Sequence, residues 1–279
     1  MASSDSVAWL SVPVIVALAF AAFFAGTVDA IAGGGGLITL PALLTAGLPT
    51  QIAIGTNKGS SAWGSGSATV AFWRAGRIDR KQALFAFPLG FLGATLGANA
   101  VLGVSKDALK PIVIAMLIFA AVVLVVKKPT RDRKPGERPA RSAAEGGAEV
   151  DDDDAPKHPW VAALLAFVIG AYDGFFGPGT GTFLIVGFVS LCGRSMVNAS
   201  ADAKVVNFAS NLASLLVFAI RGTVVWSVAL PMGAGQLLGG VVGTRLALKG
   251  GARIVRVMVL LASGALIAKL IYDLVATYY

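Results

Sequence analysis

Apolar residues run through the chain in long segments that are separated by short polar clusters. Five stretches contain no Asp, Glu, Lys or Arg: 6–28, 30–57, 82–105, 174–193 and 222–244. Each is long enough, or nearly so, for the roughly 20 helical residues that cross a bilayer core. The apolar pattern divides further into ten segments, five in each half of the chain: 7–30, 34–48, 57–73, 82–103 and 110–126, then 160–174, 180–193, 203–220, 225–245 and 254–274. The pattern predicts an all-α polytopic membrane protein.

A polar segment, residues 127–159, separates the two halves. It carries eight basic and eight acidic side chains and almost no apolar ones. Such a composition cannot bury a core and predicts a disordered linker. The expected organisation is therefore a first transmembrane repeat (1–126), the charged linker (127–159) and a second transmembrane repeat (160–279).

The two halves share an ordered set of residues. A shift of 144 aligns four pairs: Gly26 with Gly170, Asp29 with Asp173, Gly33 with Gly177, and Gly35 with Gly179. A shift of 146 aligns five more: Lys58 with Lys204, Phe72 with Phe218, Gly76 with Gly222, Gly93 with Gly239, and Gly97 with Gly243. Matches in this order indicate an internal repeat, the usual plan of secondary transporters.

Basic clusters give the expected orientation of the two repeats. The three clusters are Arg74, Arg77, Arg80 and Lys81; Lys127, Lys128, Arg131 and Arg133; and Lys249, Arg253 and Arg256. Five segments in each half, four full spans and one half-helix that completes a crossing inside the protein, place all three on the cytoplasmic side, in agreement with the positive-inside rule. Both termini are then outside and the linker is cytoplasmic. An odd number of crossings also makes the second repeat inverted relative to the first.

Two of the ten segments are too short to cross a membrane. Segments 34–48 and 180–193 correspond to about 21–23 Å of helix, against a hydrocarbon core about 30 Å thick. Each follows a glycine-rich break, "AGGGG" or "GPGTG", and is expected to be a half-helix that starts inside the protein. Unpaired N–H groups and a partial positive charge at such a start suit an anion. The candidate substrate-binding backbone is Gly33, Gly34, Gly35, Gly36, Gly177 and Gly179.

Glycines also serve close helix packing in membranes, and this is the alternative reading of both breaks. Close packing is the expected role of the Gly93-x-x-x-Gly97 and Gly239-x-x-x-Gly243 pairs. No Gly-Lys-Ser/Thr follows either break, so a nucleotide-binding P-loop is excluded.

Ionisable side chains recur beside the breaks. Lys58 lies in "GTNKGSS" and Lys204 in "ADAKVVNFASN", and charges within membrane segments are functional candidates by default. The alternative is that both lysines extend along lipid to an interface. Asp29 and Asp173 are candidates to carry a coupling proton, or they cap the following turn or form structural pairs. The remaining substrate-binding candidates are Thr56, Asn57, Thr180, Asn207 and Asn211, and hydrogen bonding between helices is an equal alternative for the asparagines.

The composition of the chain argues against several classes of function. The chain has 279 residues, 56% hydrophobic and 14% charged, with a mean hydropathy of +0.77. Its net charge of +8 is explained by cytoplasmic loops rather than by nucleic-acid binding. One cysteine, Cys192, and one histidine, His158, provide no disulfide and no Cys-based metal site. The apolar segments hold no catalytic constellation, so we expect no enzyme, cofactor or metal.

At the breaks and the lysines the sequence resembles the TauE/SafE sulfite exporter family, also called TSUP. The segments that carry the likeness are "AGTVDAIAGGGGLITLPALLTAGLPTQIAIGTNKGSS", "GAYDGFFGPGTGTFLIVGF" and "NASADAKVVNFASNLAS". The likeness covers nearly the whole chain except the linker, and it is to a poorly characterised branch. It implies a multi-pass transporter of the bacterial inner membrane that moves sulfite, sulfonates or related organic anions, usually outward.

The leading expectation is a secondary transporter that works by alternating access between two inverted repeats. The resemblance implies that it is an exporter. Its expected partners are a small anion and the lipid bilayer, with protons as a candidate coupling ion and a homodimer left open. The alternatives are a channel-like pore and a proton- or cation-coupled metabolite importer that uses Asp29 and Asp173.

Overall fold

The structure, a computed structural model, describes residues 11–105 and 159–250, together with positions 108, 109, 112 and 257. Within these ranges the regular elements are helices and no strand occurs. In chain order they are α1 (Val12–Ala32), α2 (Gly36–Thr45), α3 (Thr50–Arg74), α4 (Arg80–Leu102), α5 (Pro159–Phe175), α6 (Thr180–Cys192), α7 (Met196–Ile220) and α8 (226–250). Segments 110–126 and 254–274 and the linker lie almost entirely outside the described residues.

The predicted segments 34–48 and 180–193 form the short helices α2 and α6. α2 has 10 residues and α6 has 13, which correspond to about 15 and 20 Å. Both are shorter than the bilayer core, as the sequence predicts. α1 ends at Gly33, whose φ of 78° lies in the left-handed region, and its N–H donates to the carbonyl of Asp29. The order long helix, short helix, long helix, long helix recurs in both halves.

Two long helices begin earlier than the apolar pattern predicts. α3 starts at Thr50 and α7 at Met196, where the pattern gives 57 and 203. The added turns carry polar side chains that a hydropathy pattern assigns to loops. Here they are buried and bonded: Thr56 Oγ1 accepts from Val225 N at 3.1 Å, and Asp202 Oδ1 accepts from Asp79 N at 3.3 Å.

The described helices have the exterior of a membrane protein. α1, α4 and α7 are long and apolar enough to span a bilayer. Large apolar side chains such as Phe20, Leu84 and Ile220 are exposed on them, which is favourable in lipid and costly in water. The expectation of an all-α polytopic membrane protein is confirmed.

Contacts between glycines and carbonyls join the two halves of the chain. On α4, a Cβ at Gly93 would lie 2.2 Å from Phe167 O of α5, and one at Gly97 would lie 2.0 Å from Ala171 O. On α8, a Cβ at Gly239 would lie 2.1 Å from Phe23 O of α1. These distances confirm that the Gly-x-x-x-Gly pairs serve close helix packing. α1 and α5 occupy equivalent positions in the two halves, and so do α4 and α8. Each helix therefore packs on the partner from the other half, α4 on α5 and α8 on α1, and we call this exchanged packing.

Candidate functional site

The two glycine breaks cross in contact at the centre of the bundle. A Cβ built on Gly33 would lie 2.2 Å from the carbonyl carbon of Gly181, and one built on Gly181 would lie 2.4 Å from Gly33 Cα. No larger residue fits at either position without moving backbone. The starts of α2 and α6 therefore come together from opposite halves of the chain, and glycine is what allows that approach.

A small polar cavity lies where the breaks meet. Its volume is about 20 Å³, which is room for about one water molecule. Seven of the eight described helices and both breaks contribute to its wall: Asp29, Gly33, Gly36, Asn57, Lys58, Ser61, Asp173, Gly177, Thr180, Gly181, Asn207, Asn211 and Gln236. The cavity is thus built between the two halves and belongs to neither.

Each lysine of the repeat pairs with the aspartate of the other half. Lys58 Nζ lies 2.7 Å from Asp173 Oδ1, and Lys204 Nζ lies 3.0 Å from Asp29 Oδ2. Lys58 is 1% exposed and Lys204 is 0% exposed. The interfacial alternative for the lysines is therefore wrong, because neither side chain reaches the surface. Each buried lysine is thus balanced by one carboxylate, that of the buried Asp173 or that of the partly buried Asp29, as burial of a charge requires.

The aspartates also organise the backbone of the breaks. Asp29 Oδ1 accepts from Gly35 N at 3.2 Å, just before the start of α2. Asp173 Oδ1 accepts from Thr180 Oγ1 at 3.0 Å, at the start of α6, and Asp173 Oδ2 accepts from Ser210 Oγ. Structural pairing and capping, the alternative for both residues, thus occur together in the structure. This does not remove either carboxylate from the cavity wall.

The two asparagines of α7 differ in what they contact. Asn211 Oδ1 accepts from Lys58 Nζ at 3.2 Å, so this amide holds the lysine in place. Asn207 is 3% exposed, and its side-chain oxygen has no hydrogen-bond partner. Its amide nitrogen lies beside the breaks, since a Cβ on Gly181 would approach Nδ2 to 2.8 Å. A buried polar group without a partner is costly unless something else binds it, and Asn207 faces the cavity.

Ten of the sequence-predicted site residues line this cavity: Asp29, Gly33, Gly36, Asn57, Lys58, Asp173, Gly177, Thr180, Asn207 and Asn211. Lys204 lies behind Asp29 and does not line the wall. Gly34, Gly35 and Gly179 are adjacent in the breaks without lining it. Thr56 is bonded to the backbone at the start of α8 instead.

Sequence reasoning missed three residues of the wall: Ser61, Gly181 and Gln236. Ser61 aligns with Asn207 under the shift of 146, so the repeat itself could have found it. Gln236 is the only amide in the charge-free stretch 222–244, a position where a polar side chain in a membrane segment is informative. Its Nε2 lies 3.2 Å from the hydroxyls of both Ser60 and Ser61.

Comparison with known proteins identifies the family. The sequence profile of the family described as "Sulfite exporter TauE/SafE" matches residues 18–270. The chain is 41% identical over 254 residues to "Probable membrane transporter protein ORF9" of Sinorhizobium sp, covering 91% of this chain and 90% of that protein. It is 35% identical over 274 residues to "Probable membrane transporter protein YfcA" of Escherichia coli (strain K12), covering 98% and 95%. No solved structure shows a significant match. The protein is a membrane transporter, and it belongs to the TauE/SafE sulfite exporter family.

Proposed function

We propose that the protein is a secondary transporter that exports a small anion, namely sulfite, a sulfonate or another organic anion. The observation that carries this proposal is the convergence of hydrogen-bond donors on one cavity. The ammonium of Lys58, the start of α2 at Gly36, the start of α6 at Thr180 and the amide of Asn207 all meet there. Ammonium and amide groups and helix N-termini are the groups that bind oxyanions in proteins.

Alternating access between inverted repeats is the mechanism that we propose. The cavity lies between the halves, and its volume of about 20 Å³ is smaller than a sulfite ion. An anion therefore enters only when the halves move apart on one side. Rocking of one repeat against the other around a fixed central site provides that opening. The exchanged packing of α4 on α5 and α8 on α1 joins helices of different halves, so we expect each of these tight pairs to move as one unit during that opening.

Counterflow uptake in proteoliposomes tests the proposed function. The panel contains sulfite, sulfate, methanesulfonate, sulfoacetate, taurine and small carboxylates, each tested against its own unlabelled form inside the vesicles. We expect at least one oxyanion to exchange. The transported anion should also raise the thermal stability of the protein, because a ligand that binds the folded state stabilises it. Failure of every anion to exchange would exclude the proposal.

An asparagine pair gives the matched control. Asn207→Ala removes the unpartnered amide of the cavity, whereas Asn99→Ala removes an exposed amide of α4 that bonds within its own helix at 2.8 Å. We expect the first variant to lose most of the stabilisation by the transported anion and the second to keep it. Equal stabilisation of both variants would take Asn207 out of the site.

A proton- or cation-coupled metabolite importer is the second candidate. It is favoured by one observation: two carboxylates, Asp29 and Asp173, line the cavity beside a single lysine. In this case the same panel would show uptake of a zwitterion such as taurine and exchange of no simple anion.

Location and orientation belong to the same proposal. We place the protein in the bacterial inner membrane, with both termini outside and the linker in the cytoplasm. This orientation is supported by the three basic clusters, which then all lie on the cytoplasmic side.

A further inference from the structure

The two lysine–aspartate pairs are equivalent in sequence but not in position. Lys58 and Asp173 both line the central cavity. In the other pair only Asp29 lines it, and Lys204 lies behind. Lys204 Nζ also donates to the main-chain oxygen of Asp29, the same oxygen that accepts from Gly33 N at 2.7 Å. The second lysine is therefore attached to the end of α1, whereas the first faces the place where a substrate would bind.

The two groups bonded to the carboxylate oxygens of Asp29 can only donate. Its Oδ1 accepts from the backbone N–H of Gly35 at 3.2 Å, and its Oδ2 accepts from Lys204 at 3.0 Å. A backbone N–H and an ammonium can only donate. Neither donor could accept a hydrogen bond from a protonated Asp29, so neither contact favours the protonated acid.

Asp173 has two hydroxyl partners whose hydrogen bonds can reverse, besides Lys58, which can only donate. Its Oδ2 is bonded to the hydroxyl of Ser210, and that hydroxyl also lies 3.1 Å from the carbonyl of Asn207. Its Oδ1 is bonded to the hydroxyl of Thr180, which also lies 2.6 Å from the carbonyl of Gly177. A hydroxyl both donates and accepts. If Asp173 takes a proton on Oδ2, its O–H donates to Ser210 Oγ while Ser210 donates to the carbonyl of Asn207.

The charges around the cavity make such a proton necessary for an anion. Among the described residues, Asp29, Lys58 and Asp173 are the charged groups of the wall, and Lys204 behind Asp29 brings the total to zero. An anion that binds Lys58 meets the carboxylate of Asp173, which lies 2.7 Å from that ammonium. Two negative charges at one buried ammonium repel each other strongly.

We propose that Asp173 carries one proton with each anion, while Lys204 and Asp29 stay paired throughout the cycle. This inference rests on the proposed anion transport. A proton from water binds Asp173 Oδ2 as the ion pair with Lys58 opens, and the anion takes the place of the carboxylate at Lys58. On the other side of the membrane the anion leaves, the pair closes again, and the proton returns to water. No electron is transferred, and a monovalent anion moves without net charge. Export then proceeds only where the outward gradient of the anion exceeds the inward gradient of protons.

Other titratable groups near Asp173 do not take this role. Asp29 faces it across the cavity from α1, and the two donors bonded to its oxygens cannot accept a hydrogen bond. Tyr172 precedes it on α5 and donates to the carbonyl of Pro178 at 2.8 Å, a bond that engages its hydroxyl elsewhere. From α3 the facing charge is Lys58, and from α6 and α7 the facing groups are hydroxyls and amides.

The test uses the full-length protein in proteoliposomes, with sulfite and methanesulfonate as probes. Methanesulfonate is the anion of a strong acid and cannot carry a proton itself. With the membrane potential clamped to zero, a pH difference of one unit should accumulate a monovalent anion about tenfold in wild type, since one unit corresponds to a tenfold ratio of protons. Asp173→Asn, which resembles the protonated acid, should lose this accumulation, and any exchange that it retains should not respond to the pH difference. Asp29→Asn, at the equivalent position, should keep the dependence on the pH gradient in whatever fraction of the protein folds.

A measurement on wild type keeps the proposal falsifiable if Asp173→Asn does not fold. Vesicles that contain a pH-sensitive dye should acidify inside as methanesulfonate enters, with one proton for each anion. Uptake without acidification would overturn the proposal. Accumulation driven by the pH difference in Asp173→Asn would also overturn it. So would loss of that accumulation in Asp29→Asn while Asp173→Asn keeps it. If wild type moves neither probe, the same assay is run with whichever anion of the counterflow panel exchanges; if none exchanges, the proposed function itself fails and the coupling fails with it.

Discussion

Lysine 204 gives the sharpest test of how the fold is stabilised. From the sequence alone, Lys204→Met is expected to leave stability nearly unchanged, since methionine keeps much of the apolar stem. The structure reverses that expectation. The side chain is 0% exposed and its ammonium lies 3.0 Å from Asp29 Oδ2, so the substitution leaves a carboxylate that is 18% exposed without its counter-charge.

The size of the effect follows from this distance. Two unit charges 3.0 Å apart attract by roughly 5 kcal/mol at an effective dielectric constant of about 20. Part of this attraction offsets the cost of burying both charges, and removal of one member of a buried pair typically costs about 3–5 kcal/mol. At roughly 2–4 °C for each kcal/mol, Lys204→Met should lower the melting temperature by about 6–20 °C.

A double-mutant cycle separates the charge pair from the packing. Adding Asp29→Asn to Lys204→Met removes the unpaired carboxylate, so the double variant should recover most of the lost stability and show a coupling energy of about 2 kcal/mol or more. The assay is thermal unfolding of purified protein in detergent, with the wild type and all three variants measured together. The reasoning is refuted if Lys204→Met melts with wild type, or if the double variant is no more stable than the single one.

Three further predictions concern the glycine breaks and the linker. Gly181→Ala should lower the melting temperature, because its Cβ would lie 2.4 Å from Gly33 Cα, whereas Gly187→Ala meets only the flexible side chain of Leu165 at 3.1 Å; equal melting of the two variants would contradict the close crossing. Shortening the linker 127–159 while keeping enough length to join the halves should leave uptake intact, since its composition gives it no means of packing; an inserted but inactive protein would disprove this. Single cysteines in the linker should react with an impermeant reagent only after the membrane is permeabilised, and the buried Cys192 should give little background. Labelling of intact cells would rule out the proposed orientation.

Hydropathy and the internal repeat were sufficient to predict the described helices and most of the cavity wall. The eight segments that fall on described residues are all helical, and the shortness of α2 and α6 is confirmed. Apolar runs predict helices well here because the lipid-facing surface must be apolar and every backbone group must be bonded within its segment. The starts of α3 and α7 were predicted too late, because a hydropathy pattern does not distinguish polar residues that face water from those that face a buried site.

The pairing of charges across the halves was not predicted. Alignment of Lys58 with Lys204 and of Asp29 with Asp173 shows which residues are equivalent, but it does not show which ones are close in space. That depends on the crossing of the two breaks at Gly33 and Gly181, a three-dimensional contact with no signal in hydropathy. A lysine and an aspartate in separate membrane segments do suggest a pair on energetic grounds. That rule does not tell whether the aspartate that pairs with a given lysine lies in the same half of the chain or in the other half.

Duplication provides two copies of each contact, and the residues at those copies have diverged in charge. Thr56 Oγ1 accepts from Val225 N, and at the positions 146 residues away Asp202 Oδ1 accepts from Asp79 N. The first contact is neutral, and the second adds the buried Arg194, whose Nε donates to Asp202 Oδ2 at 2.8 Å.

The same divergence occurs at the centre, where Ser61 and Asn207 are equivalent in sequence and both line the cavity. The two ion pairs also differ. Asp173 is bonded to two hydroxyls, which can donate or accept, whereas Asp29 is bonded to groups that can only donate. The equivalent backbone contacts would let the two halves exchange conformations, since each half can adopt the arrangement of the other. A fully symmetric site would bind and release a proton at both aspartates, and two protons would then accompany each anion. Because only Asp173 has partners that accept either protonation state, the loss of symmetry at the side chains is what would fix the ratio at one.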